Sequence, residues 1–181
     1  MTTKQTIKKA ARILGSGRVI AFPTETVFGI GAALDSPQAI KQIFKIKDRP
    51  RNKPLQVLVG SMEQAKKLGK FSQKAESYAR KKWPGPTLIV PKTRNVTKLV
   101  TGGSSKVGLR LPDHRTILRL IKECGPIAAT SANRSGAKPA LTAAQVKRSL
   151  PEVKFVLSGR IKSGKPSPVI DTTKGFKVLR K

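Results

Sequence analysis

The chain has one cysteine, one histidine, one tryptophan and one tyrosine, and only nine carboxylate side chains among its 181 residues. Each scarcity removes a class of chemistry. With Cys124 alone there can be no internal disulfide and no cysteine-cluster zinc site, which fits a reducing compartment, and a cytoplasmic location is expected. Cys124 reads as a buried structural thiol. With His114 alone, multi-histidine metal sites are excluded, and any Ser-His-Asp triad would have to use it. No uninterrupted apolar run approaches the ~20 residues that span a bilayer, so no membrane association is expected. Repeats and low-complexity segments are absent.

What the chain has in excess is positive charge. Its 38 Lys and Arg give a formal net charge of +29. A balance this extreme predicts association with polyanions, foremost nucleic acid such as tRNA or double-stranded RNA. Hydrophobic residues make up 38% of the chain and are periodic, so the charge coats an ordinary core rather than a disordered tail. The length suits a single domain over residues 1–181. Glu25 is the first acidic residue, and the basic segment Met1 to Arg18 shares that pattern with organellar transit peptides. A domain helix is the preferred reading, because Ile7, Ala10, Ala11, Ile13 and Leu14 form one apolar face that Gly15-Ser16-Gly17 ends.

An α/β alternation follows. Arg18 to Phe22 reads as a strand, and Pro23 to Gly31 as a loop that turns from polar to Gly-rich. Ser36 caps a helix with Pro37 at its first position and Ala39, Ile40, Ile43 and Phe44 on its buried face. Strand character returns at Leu55–Val59, Thr87–Val90, Val107–Leu111 and Ile127–Thr130, with helices near Met62–Leu68, Ser72–Lys82 and around Ile117–Ile121. Trp83-Pro84-Gly85-Pro86 is a turn with Trp83 as a packing anchor, and Thr101 to Ser105 is a flexible connection. Thr142 caps a further helix. Strands near Val153–Leu157, Val169–Asp171 and Phe176–Leu179 make the last third strand-rich, which predicts a mixed rather than a purely parallel sheet.

Five basic residues stand at alternate positions between the Ser36 helix and the next strand: Lys45, Lys47, Arg49, Arg51 and Lys53. Pro50 and Pro54 bias Arg51 to Lys53 towards an extended path, so this stretch can be an anion cradle or a solvated basic linker. Common nucleotide motifs do not settle the matter. Gly29-Ile30-Gly31 lacks the third glycine of a dinucleotide loop, and Ser163-Gly164-Lys165-Pro166 places proline where a phosphate loop needs Ser or Thr. The remaining candidates lie in loops next to strands: Thr24 and Thr26, Ser131 and Asn133, and Ser167. Each can hold a ligand through a hydroxyl or amide, or can be a turn or cap residue.

Six blocks taken in order resemble the YrdC/TsaC family of L-threonylcarbamoyladenylate synthases. They are Pro23 to Gly31; Lys47-Asp48-Arg49-Pro50 with Pro54-Leu55; Trp83 to Thr87; Val107 to His114; Thr130 to Asn133 with Ser135-Gly136; and Pro166-Ser167 with Val169 to Asp171. The resemblance implies a twisted mixed α/β sheet with flanking helices and a concave, positively lined cavity. It also implies synthesis of threonylcarbamoyl-AMP and pyrophosphate from L-threonine, bicarbonate and ATP, with Mg2+ held mostly by phosphate oxygens and water. The product would pass to a downstream threonylcarbamoyl transferase machinery that modifies tRNA.

On the resemblance, Lys47 and Arg49 are the catalytic cations and bind ATP together with Ser131, Asn133 and Ser167. Thr24, Thr26, Arg110 and His114 then bind threonine. Nucleotidyl transfer of this kind rests on fixed cations and donors more than on a strong base. Two positions depart from the family pattern: Phe28 stands where tyrosine is usual, and Pro168 replaces the second residue of a Ser-Thr pair. The extra C-terminal domain of some relatives is not expected after Arg180. Two rivals stay open. One is a non-catalytic RNA-binding or ribosome-assembly protein, and the other is a carbamoyl-adenylate-forming domain like that of hydrogenase maturation proteins.

Overall fold

The computed structural model describes residues 3–181. Its strands are β1 (Ile20–Phe22), β2 (Gly29–Ala33), β3 (Gln56–Leu58), β4 (Thr87–Pro91), β5 (Lys106–Arg110), β6 (Ile127–Ser131), β7 (Val169–Asp171) and β8 (Lys177–Arg180). They form one sheet in the order β1-β2-β6-β3-β5-β4-β7-β8. The β3–β5 and β4–β7 pairs are parallel and the others antiparallel, so the sheet is mixed, as the sequence predicts.

The helices are α1 (Lys4–Gly15), α2 (Pro37–Lys47), α3 (Met62–Leu68), α4 (Gln73–Lys82), α5 (Lys98–Thr101), α6 (Arg115–Cys124) and α7 (Ala143–Ser149). Ser36 caps α2 through its hydroxyl, with Pro37 beginning the helix. Thr142 and Gln145 form a reciprocal capping box on α7.

Strand alternation sends neighbouring residues to opposite faces. On one face Val57, Val90, Leu109 and Ala128 pack with residues of α2, α3 and α7, while Leu88 and Ile170 meet Ala79 of α4. On the other face Leu58, Ile127 and Ala129 join Ile20 and Phe22 under α1 and α6. No residue of β4, β5 or β7 enters that second cluster. The helices therefore cover only half of this face. The uncovered half, over β5, β4 and β7, is where a ligand cavity opens.

The structure differs from the sequence reading in three places. Gly29 to Ala33 is a strand rather than the end of a loop. Val153 to Leu157 forms no strand but a single bridge, in which Ala21 donates to the Phe155 carbonyl and accepts from the Leu157 N–H, each at 2.9 and 2.8 Å respectively. The short helix α5 replaces an expected flexible start at Thr101.

Candidate active site

The cavity has a volume of about 350 Å³. Its floor is a row of register-paired residues crossing the sheet: Ala129, Gln56, Gly108, Ile89 and Asp171. Gly108 keeps this floor low, since a Cβ there would lie 3.1 Å from Thr87 Cγ2. The lining is mixed rather than uniformly basic. Arg49, Lys106, Arg110 and Arg180 stand among apolar residues, with Asp171 the one carboxylate.

At one end, the β1–β2 loop holds a directed chain of hydrogen bonds. Arg110 Nη2 donates to Thr26 Oγ1 at 3.0 Å. Thr24 Oγ1 lies 2.8 Å from Thr26 Oγ1 and donates to the Val27 carbonyl at 2.7 Å. Because the Thr24 proton is committed to Val27, Thr26 is the donor between the two hydroxyls. Arg110 is buried and also pairs with Glu25 Oε1 at 2.5 Å, while its Nε donates to the Gly85 carbonyl at 3.2 Å. A charge taken out of water in this way needs such a partner. The arrangement holds two hydroxyls and a neutralised guanidinium in fixed orientation.

A second relay crosses the floor. Thr87 Oγ1 donates to Gln56 Oε1 at 2.8 Å and lies 3.3 Å from Ser167 Oγ, which is therefore the donor to Thr87. The Ser167 carbonyl accepts from both Nε and Nη2 of Arg180, at 2.9 and 2.6 Å. Lys106 Nζ meets Asp171 Oδ2 at 2.8 Å. Burial acts to raise the Asp171 carboxyl, but the hydrogen bonds from Lys106 and Thr173 outweigh it and hold the group at about 2.

The basic stretch divides at the end of α2. Asp48 adopts a left-handed conformation (φ 50°) that ends the helix, and the Arg49 N–H reaches back to the Phe44 carbonyl at 2.9 Å. This turn sends Lys47 inward and Arg49 to the cavity. Arg49 Nη2 donates to the Pro54 carbonyl at 2.9 Å, and burial lowers its pKa from the ordinary value. Lys47 is 1% exposed, and its Nζ donates to the carbonyls of Ser131, at 2.6 Å, and Asn133. Burial, with Arg49 adding repulsion, pulls its ammonium down to about 7. Lys45, Arg51 and Lys53 are exposed.

Of the residues singled out in the sequence, Thr24, Thr26, Arg49, Arg110, Ser131 and Ser167 line the cavity together. Lys47, Asn133 and His114 do not. Lys47 stands behind the wall and fixes the turn after β6. Asn133 is buried there, its Nδ2 donating to the carbonyls of Arg134 and Ala137, both at 2.7 Å. His114 occupies the N-cap position of α6 without a capping bond from its side chain, and its Nε2 donates to the Arg160 carbonyl at 3.0 Å. Trp83 is a packing anchor, edge-on to Phe71, with its Nε1 donating to the Pro86 carbonyl at 2.7 Å.

Lys106, Asp171, Gln56 and Arg180 are cavity residues that the sequence reading did not single out as ligand contacts. Alternation along β5 carried a signal for Lys106, which shares a face with Gly108 and Arg110. Arg180 had none, since it stands 13 residues from the carbonyl it holds.

The sequence profile of the Sua5/YciO/YrdC family, described as telomere recombination, matches residues 12–181. A threonylcarbamoyl-AMP synthase of Pyrococcus abyssi is 40% identical over 179 residues, covering 96% of this chain and 52% of the relative. One from Photobacterium profundum is 33% identical over 168 residues, covering 90% of each. The crystal structure of Pyrococcus abyssi Sua5 complexed with L-threonine superposes with a TM-score of 0.93 at 39% identity, covering 98% of this chain and 54% of that one. The chain thus spans about half the length of the Pyrococcus relative. From its profile match and its fold, the chain belongs to the Sua5/YciO/YrdC family.

Proposed function

We propose that the protein forms threonylcarbamoyl-AMP and pyrophosphate from L-threonine, bicarbonate and ATP. The observation that carries this reading is the convergence, in one cavity, of an oriented pair of threonine hydroxyls beside Arg110 with Arg49, Ser131, Ser167 and Arg180. The relatives named as threonylcarbamoyl-AMP synthases, and the Sua5 complex with L-threonine, support it.

In this reading Thr24, Thr26 and Arg110 receive threonine, with the Arg110 charge already moderated by Glu25. The threonine amine adds to the carbon of bicarbonate with loss of water, giving a carbamate. A carbamate oxygen then attacks the α-phosphorus as the bond to the β-phosphate oxygen breaks and pyrophosphate leaves. Negative charge is present at every step, and Arg49 and Arg180 are the guanidinium forks that can face it. Ser131 and Ser167 contribute hydroxyls. Magnesium bound to ATP would be held by phosphate oxygens and water and would neutralise part of the triphosphate charge. Lys47 acts from behind by setting the Ser131–Asn133 turn. His114, turned to Arg160, supports the neighbouring loop.

The product is an activated mixed anhydride, so a transferase that delivers its threonylcarbamoyl group to tRNA must consume it. A nucleic-acid partner is favoured separately by the +29 charge, since the cavity uses only four of the 38 cations. The test of the catalytic reading is pyrophosphate release that requires ATP, threonine and bicarbonate together. Release indifferent to threonine, or dependent on carbamoyl phosphate in its place, would overturn it.

A further inference from the structure

Strand register divides the cavity lining into three rows. The middle row is the floor, in which Gln56 stands between Ala129 and Gly108, with Ile89 and Asp171 beyond. Two positions along the strands in one direction lie Leu58, Arg110, Thr87 and Val169, at the end where Arg110 bonds to Thr26. Two positions the other way lie Ser131, Pro54 and Lys106, with Arg49 bonded to the Pro54 carbonyl. Side chains on one face of a strand recur every ~7 Å, so the Arg110 row and the Arg49 row are ~13 Å apart at the backbone. The floor row separates them.

Gln56 is the one uncharged polar side chain of that floor, and its amide is held in a fixed sense. Its Oε1 accepts the Thr87 hydroxyl proton at 2.8 Å, and Thr87 in turn accepts from Ser167 at 3.3 Å. The oxygen of the amide is thereby spent. Its Nε2 carries two N–H groups that meet no acceptor among the described residues. The nitrogen is not among the buried polar atoms sealed off without a partner, which are Glu25 Oε2, His114 Nδ1 and Asn133 Oδ1. It opens on the cavity. An apolar side chain would fill the same half-buried place without desolvating two unpaired donors, so the fold alone does not call for an amide here.

We infer that Gln56 is a further catalytic residue, whose Nε2 donates to the carbamate oxygen that does not attack phosphorus; this rests on the threonylcarbamoyl-AMP reading above. With the amino acid at Arg110 and the triphosphate at Arg49, the new bond forms over the floor row, between the two sets of cations. Of the five floor residues, Ala129, Gly108 and Ile89 offer no side-chain donor, and Asp171 is engaged with Lys106 and Thr173. Gln56 alone has donors to spare. One carbamate oxygen attacks the α-phosphorus as the bond to the β-phosphate oxygen breaks, and pyrophosphate leaves with that electron pair. The other oxygen becomes the carbonyl of the product. A donor on this second oxygen fixes the plane of the carbamate and turns the first towards phosphorus. The amide does so without a positive charge, whereas a lysine or arginine in its place would pair with the carbamate and quench the nucleophile.

The test is steady-state pyrophosphate release by the full chain with bicarbonate varied at saturating ATP and L-threonine. Gln56→Met, which keeps the length and removes the donors, should raise the KM for bicarbonate at least about tenfold, the scale of one hydrogen bond to a charged group. The dissociation constants of ATP and of threonine, measured by calorimetry, should stay within about twofold of wild type, which a merely structural loss would not allow. Thr87→Val frees the amide to turn, and should raise the bicarbonate KM about threefold in the wild type and not at all in Gln56→Met. Thermal melting checks the fold. If Gln56→Met melts early, Gln56→Glu carries the test, since it keeps the shape, replaces the donors with negative charge, and should lose at least as much. A wild-type bicarbonate KM in the folded variant would overturn the inference, as would a parallel loss of ATP affinity, which would give the amide to the nucleotide. Wild-type protein that releases no pyrophosphate in response to threonine would overturn the underlying reading as well.

Discussion

The Lys47 ammonium donates to the Ser131 carbonyl at 2.6 Å and to that of Asn133, across 84 and 86 residues of sequence. One side chain at the end of α2 thereby fixes the turn that brings Ser131 to the cavity wall. Arg49, two residues on, points to the cavity itself. The two cations of this motif thus divide the labour, one shaping the cavity wall and the other facing the cavity.

Lys47→Met should both destabilise and slow the protein. It removes the Lys47 donors to two inward carbonyls; that of Ser131 keeps the Asn133 N–H at 3.1 Å, whereas that of Asn133 is left without a donor, and an unsatisfied buried acceptor costs ~1–3 kcal/mol. Turnover should fall by at least about tenfold as the Ser131 turn loosens. Urea unfolding and pyrophosphate release measure the two effects. Wild-type stability in the variant would remove the positioning role.

The Lys47 ammonium, held at about 7 against an ordinary 10.5, makes stability depend on pH. Between these values the unfolded chain keeps a proton that the folded lysine has released. Folding stability should therefore rise with pH across that window and be flat for this group below it. The neutral amine retains two N–H groups, enough for both carbonyls, so the clamp survives deprotonation. Unfolding midpoints at pH 7 and 9.5 should differ more in the wild type than in Lys47→Met. Equal differences in the two proteins would contradict this.

Arg110 and Glu25 form the most enclosed ion pair of the site, with side-chain exposures of 3% and 12%. Glu25→Ala leaves a guanidinium without its counter-charge and should cost ~3–5 kcal/mol. Glu25→Gln keeps an acceptor and should cost less, while exposing uncompensated charge to the Thr24–Thr26 end of the cavity. Thermal melting ranks the two variants. Equal melting temperatures for alanine and glutamine would show that the pair carries no electrostatic weight.

Cys124 should react slowly with alkylating agents. Burial foremost, with Asp35 and Glu123 adding to it, raises its thiol from 9.0 to about 11. At pH 8 that reduces the thiolate by ~100-fold relative to an ordinary cysteine. Iodoacetamide labelling of the folded protein should lag well behind that of the urea-unfolded chain. Labelling at equal rates would place the thiol in an ordinary environment.

Helix starts were legible because their signals are local: Ser36 before Pro37, and Thr142 three residues before Gln145. Strand β2 was not, because Gly29-Ile30-Gly31-Ala32-Ala33 has Ile30 alone among the branched and aromatic residues that mark strands. Its small residues answer to tertiary packing. A Cβ at Gly29 would come within 2.8 Å of the Phe22 ring, and one at Gly31 within 2.6 Å of Ile127. Conversely, Val153 to Leu157 alternates like a strand but meets only Ala21, so no ladder extends.

The site divides in the same way. Thr24, Thr26, Arg49, Arg110, Ser131 and Ser167 lie in short motifs and reach the cavity. The inward turn of Lys47 and the position of Arg180 depend on partners far along the chain, which no local pattern reports. Arg180→Ala, which removes both donors to the Ser167 carbonyl, should lower turnover by about tenfold. Steady-state pyrophosphate release checks this, and an unchanged rate would exclude Arg180 from the site.

The most direct measurement follows the carbon that joins amino acid to nucleotide. The protein is incubated with ATP, magnesium, L-threonine and 13C-labelled bicarbonate, and the adenylate formed is analysed by mass spectrometry. The expected product is threonylcarbamoyl-AMP heavier by the mass of the label, appearing in step with pyrophosphate. An unlabelled adenylate, or pyrophosphate released without any threonine-containing product, would contradict the proposed reaction.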